Sequence, residues 1–337
     1  LIGSDNALAD LALAAASAAV TIVALLLLRH FAARLPLAHP NARSLHTEPI
    51  PRVGGLAIWA GALSGSLISP PAGIAAAPWL AGFALVATVS AVDDWRGVAP
   101  PLRLAVHTIA AAIAVTGLSI DSSAGAWDAT VTSIFAAVGI VWAANLYNFM
   151  DGSDGLAALM AVTGFATLGA AATIAGAPAG CFYATASASL VFLTVNAPPA
   201  RMFMGDVGAV PLGFVAATWG IAGTLAGVYP AWLVALAFLP FWSDATVTLI
   251  ARLARGERVI EPHRSHYYQR LVQLGVGHRG TLLCFGALMV GTAVSALCLL
   301  LVAPTAGWIV LGVWIAIHAA VFAGIEYHWR KRCLPVQ

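Results

Sequence analysis

Long apolar runs alternate with short polar intervals along the whole chain. Eleven runs stand out: Leu11–Leu28, Leu56–Ser69, Ile74–Val92, Leu104–Ile120, Thr130–Leu146, Leu156–Ile174, Gly180–Val195, Val207–Ala226, Pro230–Ile250, Leu282–Val302 and Trp308–Ile325. A membrane-crossing helix needs roughly 20 consecutive apolar residues, and most of these runs come close. Leu56–Ser69 is short and Gly-rich. A barrel strand would alternate apolar and polar positions, which these runs do not. The pattern predicts an all-α integral membrane protein with about 11 transmembrane helices. An odd number of crossings places the two ends on opposite sides.

Composition narrows the class. Hydrophobic residues make up 61% of the chain and charged residues 9%, with a mean hydropathy of +0.89. Soluble proteins carry roughly 25% charged residues, so this chain cannot build a water-facing surface. A soluble enzyme, a disordered protein and a nucleic-acid binder with a basic face are excluded. The first run reads as a spanning helix and not as a signal peptide: Asp5 and Asp10 precede it, Arg29 follows it, and it exceeds the roughly 7–15 residues of a signal core. The cysteines Cys181, Cys284, Cys298 and Cys333 show no ligand spacing, so no disulfide framework or zinc site is implied.

Charge gives the expected orientation. The 16 Lys and Arg residues fall in alternate connections: Arg29, Arg34, Arg43 and Arg52; Arg96 and Arg103; Arg201; Arg252, Arg255, Arg258, Arg264, Arg270 and Arg279; then Arg330, Lys331 and Arg332. The other side holds Asp5, Asp10, Asp121 and Asp128 and no base. By the positive-inside rule the N-terminus is expected outside and the C-terminus in the cytoplasm. Trp79, Trp127, Trp232 and Trp308 fall near the outer ends of runs, as an aromatic belt would place them.

The polar chemistry sorts to the basic side. Residues 1–337 read as one polytopic domain whose functional loops are 29–53, 93–103, 145–155, 196–208 and 251–281. Asp93, Asp94, Asp151, Asp154 and Asp206 lie at or near helix ends. Ionisable groups at membrane depth are costly and mark function by default. Adjacent like charges such as Asp93 and Asp94 repel unless a cation or proton intervenes. Oxygen-only donors suit Mg²⁺ or Mn²⁺, and nearby Arg and His suit phosphate. In NLYNFMDGSDG, Asn145, Asn148, Asp151 and Asp154 recur every third residue, and Gly152 and Gly155 are expected to break the helix. Asp206, in FMGD, is expected to open one. The loop PHRSHYYQRL gathers His263, Arg264, His266 and Gln269, whereas His107, His318 and His328 read as structural. Asp244, near Pro240, reads as a hydrogen-bonded residue at a kink.

These strings together resemble the polyprenyl-phosphate N-acetylhexosamine-1-phosphate transferase superfamily, which includes MraY and the WecA-type initiators. The resemblance runs from about Arg43 to about Arg279 and rests on the DD pair, NxxNxxDGxDGLA, and an Asn followed by FMGD. It implies transfer of a sugar-1-phosphate from a UDP-N-acetylhexosamine to undecaprenyl phosphate, with release of UMP. It also implies Mg²⁺, with Mn²⁺ as a substitute, at a cytoplasm-facing site in a bacterial inner membrane. Members often form homodimers. By position, Asp206 matches the main metal ligand. Asp93 and Asp94 match the paired acids near the metal and lipid phosphate, one of them proposed as a catalytic base. Asn148, Asp151 and Asp154 match positions that hold the nucleotide and help set the metal site. Asn196 and Phe203 match residues near the nucleotide, with Phe203 suited to stack on uracil. His46, in RSLHTEPIPRVGG, resembles the WecA-type RxxHxxxxPxxGG loop and joins Arg52 and Arg103 as candidates for the lipid phosphate.

The fifth loop departs from the His runs of MraY and WecA. His266 matches the essential catalytic His, and His263 and Arg264 become nucleotide-sugar candidates. HRSHYYQ is similar to the WbpL-type branch that starts O-antigen chains with 6-deoxy sugars such as FucNAc or QuiNAc. The competing reading is a cation-coupled transporter with intramembrane carboxylates, for which only Asp244 lies deep enough. The string that marks CDP-alcohol phosphotransferases is absent.

Overall fold

The computed structural model describes residues 4–31, 36–38, 49–121, 123, 126–258 and 263–333. Each apolar run lies on a helix: α1 (Ser4–His30), α2 (Gly54–Ile68), α3 (Ala76–Arg96), α4 (Pro100–Val115), α5 (Ala126–Met150), α6 (Leu156–Ile174), α7 (Gly180–Asn196), α8 (Asp206–Leu225), α9 (Ala231–Ala237), α10 (Leu239–Ala254), α11 (Tyr267–Leu271), α12 (Gly277–Val302) and α13 (Gly307–Cys333). Only two short strands occur among the described residues, β1 (Leu37–Ala38) and β2 (Ile50–Pro51), paired antiparallel. The all-α class is therefore borne out. Helices satisfy their own backbone groups, as lipid demands.

By length and composition, seven helices can cross a membrane, and the α9–α10 pair makes an eighth. The protein is a multi-pass membrane protein. The ninth run is not one straight span: it bends by 78° at Phe238, with Pro240 in the first turn of α10. Helices α2, α4 and α7 are apolar but only 15, 16 and 17 residues long. The expected end of α4 at Ile120 is too late, because Leu118 leaves the helix to pair with Ile74.

Helix α8 forms the centre of the bundle, with most of its residues buried. Trp219 on α8 meets Trp79, Phe165 and Phe182 with ring centroids 5.5, 5.8 and 5.3 Å away. This corrects the aromatic-belt expectation. Trp127 and Trp308 are exposed, but Trp79 and Trp232 are buried among other helices. Where α2 crosses α8, Gly55 and Gly208 pack backbone to backbone, and a Cβ on either would collide with the other. Small residues at such crossings let membrane helices approach closely.

Helices α3 and α4 reverse direction, since the start of α3 meets the end of α4. At one end, Ala75 N–H donates to the Gly117 carbonyl at 2.8 Å and Ser119 N–H to Gly73 at 3.0 Å. At the other, Gly54 and Gly55 N–H donate to the carbonyls of Phe203 and Met204 at 2.9 and 2.8 Å. That second end gathers the motif loops.

Candidate active site

Three helix ends build the acidic centre. Asp93 and Asp94 close α3, Asp206 opens α8, and Asn148 stands near the end of α5. Proline at the start of α4 places Arg103 in its first turn, facing the gap between them. One guanidinium nitrogen, Nη1, bonds Asp93 Oδ2 and also lies 2.9 Å from Asp206 Oδ2. Asn148 Nδ2 donates to the same Asp206 oxygen at 3.3 Å. Asp93 Oδ1 accepts Val98 N–H at 2.6 Å. Two carboxylates from distant loops thus share one cation, as mutual repulsion requires.

Asp94 has a different task. Its two oxygens accept the N–H groups of Asp206 and Val207 at 3.1 and 2.9 Å. These are orphan donors at the start of α8. Arg52 completes the brace: its Nη2 donates to the Asp94 carbonyl at 2.7 Å, and its Nε stands 3.6 Å from Asp94 Oδ1. Gly205 makes the turn possible. Its φ is +73°, and a Cβ there would strike the Arg52 carbonyl and the Asp94 carboxylate. Asp94 is buried and its oxygens are occupied, so it positions Asp206.

The DGSDG turn lies between α5 and α6, where its glycines were expected to break the helix. Asp151 is half-buried. Burial first, and then the charges of Asp206, Asp94 and Asp154, push its carboxyl well above the usual carboxylate range. Asp154 turns elsewhere: its Oδ2 accepts Ala200 N–H at 3.0 Å, and its Oδ1 lies 3.5 Å from Nδ1 of His278. Asn196 ties the two loops, accepting Gly155 N–H at 3.0 Å and donating to the Met202 carbonyl at 2.9 Å. It is buried and acts as a brace. Phe203 is half-buried, and its N–H bonds Pro51. Asn145 donates to Val141 on its own helix and makes no direct hydrogen bond to the acidic centre.

The fifth loop hangs on Asp244, a fully buried residue of α10. Asp244 accepts the N–H groups of Tyr267 and Tyr268, each at 3.0 Å, and the Thr248 hydroxyl at 3.1 Å. His266 Nδ1 lies 3.3 Å from Asp244 Oδ1. The reading of Asp244 as a hydrogen-bonded residue at a bend holds, and every one of these partners is a protein group. Tyr268 donates its hydroxyl to the Phe149 carbonyl at 2.9 Å, and the Phe149 and His266 rings stack at 6.2 Å. The HRSHYYQ loop is thereby fixed against the end of α5, next to Asn148. The His263 Nδ1 lies 2.8 Å from Ser265 Oγ. Burial, and then the neighbouring His266 and Arg252, lower its pKa to about 4. His263 is therefore neutral near pH 7 and brings no charge to an anion. Arg264 gives its carbonyl to Gln273 Nε2 at 3.3 Å. His46 lies outside the described residues.

The structure adds two residues that spacing could not reveal. His278, at the start of α12, touches Ser153 and Asp154, more than 120 positions away. Asp244 supports His266 from within a span. The donor set suits a hard divalent cation: Asp93 and Asp206 oxygens converge, Asn148 adds an amide, and Asp151 brings a further carboxyl. No three His, Cys, Asp or Glu side chains are already gathered as a metal cage among the described residues. Mg²⁺ needs none, because it commonly takes one or two carboxylates and fills its shell with phosphate oxygens and water.

Fold and site define a multi-pass membrane protein with a carboxylate-rich centre at one end of its bundle. Residues 76–224, which carry the DD pair, Arg103, the DGSDG turn and FMGD, match the family described as Glycosyl transferase family 4. A Bacillus subtilis protein named probable undecaprenyl-phosphate N-acetylglucosaminyl 1-phosphate transferase is 28% identical over 263 residues, covering 72% of each chain. The undecaprenyl-phosphate alpha-N-acetylglucosaminyl 1-phosphate transferase of Yersinia pestis is 29% identical over 264 residues, 71% of this chain and 70% of the relative. The decaprenyl-phosphate N-acetylglucosaminephosphotransferase of Mycolicibacterium smegmatis is 29% identical over 332 residues, 83% of this chain and 80% of the relative. The resemblance to the polyprenyl-phosphate N-acetylhexosamine-1-phosphate transferase superfamily read from the motifs is borne out by these matches.

Proposed function

We propose that this protein transfers N-acetylhexosamine-1-phosphate from a UDP-sugar to undecaprenyl phosphate, releasing UMP and leaving a lipid-linked sugar diphosphate. The observation that carries this is the convergence of Asp93 and Asp206 on Arg103 at the end of a membrane bundle. An anionic centre with embedded cations handles a metal–diphosphate pair, and a membrane-embedded frame suits a lipid acceptor. The relatives' names supply a polyprenyl-phosphate acceptor and an N-acetylglucosamine phosphate as the transferred group.

An oxygen of the lipid phosphate attacks the β-phosphorus of the UDP-sugar. The new P–O bond forms as the bond from that phosphorus to the bridging oxygen breaks, and UMP leaves with the oxygen. The lipid phosphate is already largely ionised near pH 7, its second pKa being about 6, so a general base has little to remove. Arg103 and Arg52 would offset charge on the two phosphates. Bound at Asp206 and Asp93, Mg²⁺ would supply Lewis-acid stabilisation of the diphosphate oxygens. Asp94 holds the start of α8, and so Asp206, in place. HRSHYYQ favours an N-acetylated 6-deoxy sugar, FucNAc or QuiNAc, as the transferred group. That in turn points to initiation of an O-antigen or related surface polysaccharide at the cytoplasmic face of a bacterial inner membrane.

The test is a panel of UDP-N-acetylhexosamines offered to purified protein with undecaprenyl phosphate and Mg²⁺, with mass analysis of the lipid. A lipid heavier by one 6-deoxy-N-acetylhexosamine phosphate supports the full reading. Turnover of UDP-GlcNAc alone would keep the reaction and remove the sugar assignment. A product lacking the added phosphate would remove the reaction.

A further inference from the structure

His278 lies far along the chain from every motif, yet it touches the DGSDG turn at two residues. Its Nδ1 is 3.2 Å from Asp154 N–H and 3.1 Å from Ser153 Oγ. A backbone N–H can only donate. Nδ1 is therefore the unprotonated ring nitrogen, and the proton sits on Nε2. The 3.5 Å approach of Asp154 Oδ1 to the same Nδ1 is consequently not an ion pair, since both atoms present lone pairs. Asp154 Oδ2 is held by Ala200 N–H. Oδ1 takes no donor among the described residues. The turn is pinned at its backbone by His278, on one carboxylate oxygen by Ala200, and at Gly155 by Asn196. The other carboxylate oxygen is left as an acceptor.

We propose that His278 is a positioning residue for the nucleotide: it fixes the Ser153–Asp154 backbone so that Asp154 Oδ1 faces a hydrogen-bond donor on the bound nucleotide. This rests on the nucleotide-handling reading above. It goes beyond that reading by assigning a role to a helix, α12, outside the family-matched segment 76–224. The role needs an acceptor at this place and no charge.

The experiment compares wild type, His278→Ala and His278→Asn in the full-length purified protein. Asn offers Oδ1 as an acceptor in place of Nδ1. Two quantities are read: the KM for the UDP-sugar against that for undecaprenyl phosphate, and the thermal shift produced by UMP. His278→Ala should raise the UDP-sugar KM by about tenfold, the effect of losing one or two hydrogen bonds. It should leave the lipid KM near wild type and shrink the UMP shift. His278→Asn should recover most of both. If His278→Ala does not fold, Ser153→Ala combined with His278→Asn removes one of the two contacts and should have a UDP-sugar KM above that of His278→Asn alone, with the lipid KM unchanged; a KM equal to that of His278→Asn would overturn the proposal. An unchanged UDP-sugar KM, an equal rise in both KM values, or an Asn variant no better than Ala would overturn the proposal. A wild-type protein with no UMP shift would remove the nucleotide reading and the inference together. A UMP shift retained in full by His278→Ala would remove the inference alone.

Discussion

At the scale of single residues, two neighbouring aspartates show how one motif divides its labour. Asp206 shares Arg103 with Asp93, whereas Asp94 spends both oxygens on the backbone of α8. Asp206→Asn keeps an oxygen for Arg103 but loses the charge. It should cut turnover by roughly 10²–10³ with little change in melting temperature. Asp94→Asn presents an NH₂ to one of two backbone N–H donors. An unsatisfied buried donor costs about 1–3 kcal/mol, so this variant should melt lower as well as lose activity. Thermal melting and rate assays on both variants check the contrast, and identical melting losses would merge the two roles. The chemistry of both residues was legible from the DD and FMGD strings. Their division was not, because which lone pair meets which N–H depends on how α3 and α8 pack.

At the scale of elements, the HRSHYYQ loop depends on the bend between α9 and α10. The bend brings Asp244 under the first turn of α11, where it accepts two backbone N–H groups and meets His266. His266→Ala should cost roughly 10²–10³ in rate. His318→Ala should cost little, because among the described residues the His318 hydrogen bond goes to the Trp314 carbonyl on its own helix. Rates measured side by side decide this, and equal losses would reduce the loop to scaffold. Helix positions were readable because apolar runs set them. Helix faces were not: lipid and protein core are both apolar, so Trp79 and Trp232 carry no mark in the sequence of being buried. Likewise His278 lies in no motif, and its link to Asp154 exists only because α12 packs against the α5–α6 turn.

At the scale of the whole molecule, the motif loops share one end of the bundle, as the alternation of charged and uncharged connections predicts. The proposed orientation places that end in the cytoplasm. In a background lacking native cysteines, Cys at exposed Arg255 should resist an impermeant reagent in intact cells, and Cys at exposed Ser123 should react. The reverse labelling would turn the protein over and remove the site from its nucleotide supply. The central claim is that the bond broken lies between the two phosphates of the nucleotide. A UDP-sugar carrying ³²P only at its β-phosphorus tests this directly. With undecaprenyl phosphate and Mg²⁺, the label should move into the lipid and the released UMP should be unlabelled. Label recovered in released UDP would mean cleavage at the sugar carbon, and would contradict the account.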